Sequence, residues 1–522
     1  MTQRPATGPA PDGSLSGGPA TAVLSTATPP VIERRTIDMV PDSERYGHPR
    51  NQFTLWFGAN MQISTVVTGA LAVILGANGL SAIIGLAVGN VLGGIFMALH
   101  SAQGPQLGLP QMISSRVQFG VRGAALPLVL VIIMYLGFAS TSGVLAGQAV
   151  NLIIGVDAPV VGILIFGVLT AVIAIFGYRW IHALGRIATV LGFIVFAYLI
   201  VQVFVQYDVG AKFLTAPFGW VSFITAVTLA AGWQMTYAPY VADYSRYLPR
   251  ETTVASTFWS TFSGSVIGTQ IAMSFGVLIA LVGGSAFLDN QVGFLGKLAG
   301  IGVAAFITYL TVLVGKLTVN CLNSYGGFMT VLTTVTGFNN TRSISQRMRS
   351  IIIVAFVAVS VLIAIAASAD FLNFFKNFVL LLLAVFIPWS VINLTDYYFI
   401  SREKVDIPAL YTPKGRYGSV NLVAIVSYVI GILVQIPFLS QTLYTGPIAK
   451  AMGGLDISWA VALVVTFAIY YPWAKRTLRH PDRMIYPDDA AHAAMPQAAG
   501  AAPQGGRASV DDPDDSASEL TR

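Results

Sequence analysis

Between Leu55 and Pro472, about twelve strongly apolar stretches of roughly 18–25 residues follow one another, separated by short polar loops. A helix of about 20 apolar residues crosses a hydrocarbon core of about 30 Å, so the pattern predicts an all-α integral membrane protein with about 12 transmembrane helices. The expected spans lie near 53–76, 79–100, 124–152, 158–178, 184–206, 219–245, 258–284, 298–336, 350–369, 371–399, 419–439 and 456–474. The third and eighth are long enough to include tilted or non-helical ends. Residues 1–50 read as a disordered N-terminal segment, and 481–522 as a disordered tail made acidic by Asp511, Asp512, Asp514 and Asp515. Residues 1–30 have no basic stretch followed by an apolar one, so they do not read as a cleaved signal peptide.

Charged residues make up 10% of the chain and hydrophobic ones 55%, far from a soluble domain, which is about one-quarter charged. The single cysteine, Cys321, lies inside an apolar stretch, which excludes an internal disulfide and argues against a thiol metal site. The net charge of +6 is arranged by loop. Arg34, Arg35, Arg45 and Arg50 precede the first span, and Arg116 and Arg122 follow the second. Arg179 and Arg186 follow the fourth, Arg246 and Arg250 the sixth, and Arg342, Arg347 and Arg349 the eighth. Arg402, Lys404, Lys414 and Arg416 follow the tenth, and Lys475, Arg476 and Arg479 the twelfth. The opposite loops hold only Lys212, Lys297, Lys376 and Lys450. Cytoplasmic loops retain Lys and Arg, so both termini are expected inside a cell membrane and the number of crossings even. The positive surplus then encodes topology and implies no nucleic-acid partner.

Two spans contradict their own apolarity. The first carries Gly58-Ala59-Asn60-Met61-Gln62 followed by Ser64 and Thr65, and the sixth carries Gly232-Trp233-Gln234-Met235-Thr236-Tyr237-Ala238-Pro239. Freed backbone groups at membrane depth are tolerated only where protein or a cavity surrounds them. Small residues often do no more than let helices pack closely. A matched pair of interrupted helices in the two halves of a chain, however, points to a transporter binding site. The two spans are five apart, an odd number, so the second set of five enters from the opposite side. Residues 51–400 then form a ten-helix inverted repeat, and 401–480 add two further helices.

The stretches PRNQFTLWFGANMQIST, FGVRGA, AAGWQMTYAPYVADYSRYLP, VNCLNSYGG and IPWSVINLTDYY resemble the nucleobase:cation symporter-1 family, in particular its purine–cytosine permease branch. The resemblance spans roughly residues 45–400. It implies a leucine-transporter-type fold of five plus five helices. It also implies import of a nucleobase-like heterocycle, such as cytosine or a purine, by alternating access of a midplane site coupled to a proton or sodium. Allantoin, hydantoin or a vitamin precursor are alternative solutes. No cofactor beyond a coupling ion and no protein partner is implied.

A planar solute that sheds its water needs aromatic faces to stack on and amides to match its edge. Asn60 and Gln62 in the first span are candidates, as are Gly232, Trp233, Gln234 and Thr236 in the sixth. In the third span Tyr135, Phe138 and Ser142 fall where the family places an aromatic and polar residues. Phe138 replaces the usual tryptophan, and Ser142 stands where fungal relatives tend to carry asparagine. Trp233 is expected to form one face of a ring sandwich, with Phe138 opposite it or serving only as a core contact.

Lys316, Asn320 and Asn323 share one face of the eighth span at i, i+4 and i+7. An ionisable group at this depth faces a cavity or a partner. Lys316 can therefore bind an anionic or carbonyl-rich solute, or replace a bound cation with a proton cycle. It can also snorkel, or pair with an acid such as Asp289. The sodium site implied by the resemblance uses first-span carbonyls and eighth-span hydroxyls. Its counterparts here are the carbonyls of Ala59 and Met61 and the hydroxyl of Thr318, which Leu317 and Val319 flank.

Asp243 and Arg246 can form a gate pair or a helix-end salt bridge, and Asp396 reads as structural or gating. A membrane enzyme acting on a lipid-linked substrate needs clustered acids or histidines near an interface. The sequence shows no such cluster.

Overall fold

The computed structural model describes residues 37–487 and 489, apart from 177, 215–216, 340–344, 442–443 and 479, with the side chains of 176–189 left out. The N-terminal half holds α1 (Arg50–Asn60), α2 (Ile63–Ile74), α3 (Gly79–Leu107), α4 (Ala125–Ile154), α5 (Pro159–Phe176) and α6 (Tyr178–Gln206). Then follow α7 (Trp220–Met235), α8 (Val254–Asp289), α9 (Gln291–Ala299), α10 (Val303–Asn339), α11 (Gln346–Ala367) and α12 (Phe371–Leu394). The C-terminal pair is α13 (Leu422–Leu433) and α14 (Ser458–Thr477). Among the described residues the only β pairings are two isolated bridges, so the fold is all-α as expected.

By length and hydropathy five helices are able to cross a membrane, or six if the bent pair α1–α2 is one span, so this measure does not reach the expected twelve. One of the five is the continuous stretch Gln346–Ile400, 55 residues long. At 1.5 Å per residue it would reach about 80 Å, so it serves as two passes rather than one. The division falls at Asp370, whose backbone leaves the helical region (φ −139°, ψ 57°). The expected eighth span, 298–336, splits at its start. α9 ends at Ala299, and Gly300 and Gly302 hold positive φ (105° and 71°) before α10 begins.

Both expected breaks are present. α1 and α2 are bent by 61° across Met61 and Gln62. Met61 leaves the helix (φ −79°, ψ 63°) and Gln62 is extended (φ −142°, ψ 158°). α7 stops at Met235, four residues before Pro239. A proline ring clashes with the carbonyl four residues upstream and supplies no N–H, which accounts for the stopping point.

The helices sort into two groups. The bundle comprises α1–α2, α3, α7 and α8, packed on one another. The scaffold comprises α4, α5, α10 and α11. Counterparts in the two halves meet in pairs: α2 with α7, α3 with α8, α4 with α10, and α5 with α11. α12 lies against α7 on one side and α13–α14 on the other. Within the bundle, the seam between α2 and α8 is made by glycine. A Cβ on Gly69 would stand 2.1 Å from the Met273 carbonyl oxygen, and one on Gly276 would stand 1.9 Å from that of Val66. Backbone therefore abuts backbone there, as small residues allow in membrane helices.

The terminal segments differ from expectation. Residues 37–49, expected to be disordered, are packed, with Ile37, Val40 and Arg45 buried. Arg45 donates to the carbonyls of Val40, at 3.1 Å, and Pro105. Burial pulls its pKa below the ordinary value, and Asp42, 3.3 Å away, opposes the shift. The start of the expected disordered tail is also ordered. Ile485 bridges Asp406, the Arg250 guanidinium lies 3.8 Å over the Tyr486 ring, and the Tyr486 hydroxyl donates to the Gln106 carbonyl at 3.2 Å. Short apolar and aromatic anchors inside a polar composition account for both differences. Residues 1–36 and 490–522 lie outside the described residues.

Gly276→Leu should lower the unfolding free energy of the detergent-solubilised protein by about 1–3 kcal/mol, because overpacking forces two backbones apart. Gly315→Ala, whose added Cβ meets nothing within 4 Å, should leave stability within about 1 kcal/mol. Thermal unfolding followed by tryptophan fluorescence checks both.

Candidate functional site

The α1 break is held by Asn60 and Gln62. Asn60 is fully buried, and its amide donates to the Trp56 carbonyl (2.8 Å) and to Ser265 Oγ on α8 (3.2 Å). Its oxygen accepts from Trp233 Nε1 (2.8 Å) and the Tyr237 hydroxyl (2.9 Å). One amide thus ties the end of α1 to the end of α7 and to α8. Gln62 bridges the gap itself. Its backbone N–H donates to the Asn60 carbonyl at 2.9 Å, and its Nε2 donates to the Ala59 carbonyl at 2.9 Å. These bonds satisfy carbonyls that the end of a helix leaves without partners. Gln62 Oε1 accepts from Lys316 Nζ at 2.9 Å, and Lys316 also donates to Ser64 Oγ. Lys316 is buried, reaching from the scaffold into the break rather than snorkelling or pairing with Asp289.

At the α7 break, the Thr236 hydroxyl donates to the Trp233 carbonyl at 2.7 Å. Gln234 faces the bundle interior. Its Nε2 donates to Thr269 Oγ1 (3.2 Å) and Asn90 Oδ1 (3.4 Å), and its Oε1 accepts from Ser265 (2.6 Å). Gln234 therefore belongs to the α3–α7–α8 packing and not to the face that meets the scaffold. Neighbours on a helix point about 100° apart, so Trp233 and Gln234 cannot both face the scaffold.

Aromatic rings meet between bundle and scaffold. Phe138 of α4 meets Trp233 edge to face, with centroids 5.8 Å apart and planes at 90°. Phe138 also meets Phe378 of α12 at 5.1 Å, and Trp233 meets Phe375 at 6.5 Å. Tyr135 approaches Tyr240 at 5.6 Å. The expected pair Phe138 and Trp233 is thus together, but as a T rather than as parallel plates. A ring stacked between them needs faces about 7 Å apart, twice the van der Waals separation. Two glycines seat the neighbouring rings. A Cβ on Gly137 would fall 2.1 Å from the Phe378 ring, and one on Gly326 would fall 2.5 Å from that of Tyr135. Gly232 lies against Val379.

On α10, Asn320 Nδ2 donates to Thr170 Oγ1 of α5 at 3.3 Å. Asn320 Oδ1 and Asn323 Nδ2 are buried without a hydrogen-bond partner among the described residues. An unsatisfied buried polar atom is costly, so an acceptor and a donor one turn apart mark a place suited to a polar ligand. Ser142 of α4 is buried.

Of the predicted residues, the structure gathers Gln62, Phe138, Trp233 and Lys316 at the seam between bundle and scaffold. Asn60 is consumed by its four bonds, and Gln234 is turned away. Thr318 is two residues from Lys316 and so about 200° around α10. Its hydroxyl donates to the Val314 carbonyl at 2.9 Å, and the side chain lies on the face of α10 opposite Lys316. Sequence reasoning missed Tyr240, Phe375, Phe378 and Ser265, and noted Ser64 only as part of the polar break in the first span. The aromatic stripe Trp233, Tyr237, Tyr240, Tyr244 at helical spacing was the available signal for Tyr240. Nothing in the spacing singles out Ser265.

Two flanking acids make tertiary bonds. The Asp243 carboxylate accepts the Gln111 backbone N–H at 2.7 Å. Asp396, fully buried, accepts from Tyr470 (2.9 Å) and Gln118 (3.4 Å), which ties the end of α12 to α14.

Residues 39–462 match the family model described as permease for cytosine/purines, uracil, thiamine, allantoin. The chain is 37% identical, over 86% of its length and 97% of the relative's, to the putative purine-cytosine permease YxlA of Bacillus subtilis (strain 168). Its fold resembles that of Mhp1 in an inward-facing conformation, with TM-score 0.71 and 19% identity over 88% of this chain and 97% of that one. It also resembles Mhp1, a nucleobase-cation-symport-1 family transporter, in a closed conformation with bromovinylhydantoin bound, with TM-score 0.64 and 17% identity over 86% and 97%. The expected leucine-transporter-type architecture agrees with these likenesses.

Trp233→Phe removes one N–H···O bond and should cost about 1 kcal/mol of stability, whereas Asn60→Ala strands two buried donors and should cost about 3 kcal/mol. The double variant should show a coupling of about 0.5–3 kcal/mol in a double-mutant cycle of thermal or denaturant unfolding. Strict additivity would remove the Asn60–Trp233 bond from the account of the break.

Proposed function

The chain belongs to the permease family for cytosine/purines, uracil, thiamine and allantoin, and from that premise we propose that it is a secondary active transporter importing a nucleobase-like heterocycle. Members of this family are multi-pass membrane permeases and not enzymes. The observation that carries the reading of the site is the pair of unpartnered buried atoms, Asn320 Oδ1 and Asn323 Nδ2, on α10, where Asn323 lies one turn before Gly326, which abuts the Tyr135 ring. A nucleobase edge alternates N–H and C=O groups, and these two atoms offer the complementary acceptor and donor. Trp233 supplies a stacking face, with Phe138 swinging from its edge-on position to supply the other. Tyr135, Ser142, Gly232, Thr236 and Gln62 line the approach in this reading.

Alternating access follows from the division of the fold. The bundle rocks against the scaffold and exposes the midplane first to one side and then to the other. The loop charges support placing both termini in the cytoplasm of a cell-membrane protein. A proton or sodium gradient supplies the driving force. Allantoin, hydantoin or a vitamin precursor form the second reading, supported by Phe138 and Ser142 standing where relatives carry larger groups.

Counterflow in proteoliposomes tests the proposal. Preloading with unlabelled cytosine or hypoxanthine should stimulate uptake of the labelled base severalfold, and Asn323→Ala should weaken binding at least about tenfold. Wild-type affinity in that variant would remove α10 from the site. An absence of trans-stimulation by bases together with its presence for allantoin or hydantoin would favour the second reading.

A further inference from the structure

The fold family implies a sodium ion held between the break of the first helix and a helix of the second half, and here most of the oxygens at that break are already bonded, with Thr65 Oγ1 left without a partner among the described residues. The Ala59 carbonyl is taken by Gln62 Nε2 and the Asn60 carbonyl by the Gln62 backbone N–H, each at 2.9 Å. Gln62 Oε1 and Ser64 Oγ are taken by Lys316. The one hydroxyl that the sequence offered from α10, Thr318, faces away and is bonded within its own helix. The oxygen cluster of the break thus already holds a positive charge, supplied by the chain.

We propose that the Lys316 ammonium is the resident cation of the α1–α2 break, standing where the fold would place sodium and making the site indifferent to that ion. Three observations converge. Lys316 is 2% exposed, its partners are neutral oxygens of Gln62 in the break and Ser64 in the first turn of α2, and it comes from the opposite structural group. The C-terminal end of α1 carries partial negative charge, which favours a cation in the break, against the opposing N-terminal end of α2. A second positive charge about 4 Å away would lose on the order of a thousandfold in affinity even at an effective dielectric of about 20. Because the ammonium is tethered, it cannot be released with the solute. It acts as a clasp between bundle and scaffold, and the driving ion does not pass through this position as sodium. The inference rests on the transporter reading for its meaning, but its test does not need a solute.

The test is a sodium titration of the purified protein against choline chloride at constant ionic strength, read by thermal unfolding. Wild-type protein should shift by less than about 1 °C up to about 150 mM sodium. Lys316→Ala frees Gln62 Oε1 and Ser64 Oγ, and hard cations prefer oxygen ligands. This variant should gain a saturable rise of at least about 2 °C with sodium. Saturable stabilisation of the wild-type protein by sodium overturns the proposal. So does a folded Lys316→Ala protein that ignores sodium and lithium, whatever its own stability. If that variant does not fold, the wild-type titration decides alone. A failed counterflow assay with a sodium-blind wild type would sink the solute reading and leave this one standing.

Discussion

A helix interrupted inside a hydrocarbon layer exposes peptide groups that no lipid can satisfy, and the whole arrangement answers that constraint. Here the answer is largely two side chains. Gln62 closes the carbonyls of α1 while its own backbone starts α2, and Asn60 binds that break to the corresponding one at the end of α7. Without these bonds two half-helices would face each other with unpaired donors and acceptors. With them, the breaks become a rigid platform on which the aromatic midplane is assembled.

The division of labour between polar residues is the less obvious result. Asparagine and glutamine at membrane depth are natural candidates for solute recognition, yet Asn60 and Gln234 make their hydrogen bonds within the bundle. Of the amides singled out in the first, sixth and eighth spans, Asn320 and Asn323 each keep a buried atom without a partner among the described residues. Asn60 and Gln234 are thus spent on architecture, and in the proposed reading recognition is left to the same residue type on α10.

Much of this was legible in the sequence. Gly58 to Gln62 and Gly232 to Pro239 break the apolar pattern of their spans, and both breaks are present where Pro239 and Gln62 dictate. The face shared by Lys316, Asn320 and Asn323 followed from helical spacing, and the pairing of Phe138 with Trp233 from the resemblance. What was not legible depends on direction. Spacing cannot say whether Gln234 or Trp233 faces the scaffold, nor that Thr318 turns away. The ordered terminal segments were hidden because a few anchors, Ile37, Arg45 and Tyr486, sit in stretches whose average composition reads as disordered.

The glycine seam between α2 and α8 bears on how such a molecule moves. Where main chain touches main chain, no rotamer is available to absorb a slide, so these two helices shift together or must first come apart. Compliance resides instead where long or flat side chains interleave, along the line from Phe138 and Trp233 to Lys316. Rigidity on one flank thus confines deformation to the other, and the hinge is decided by where the protein does without side chains.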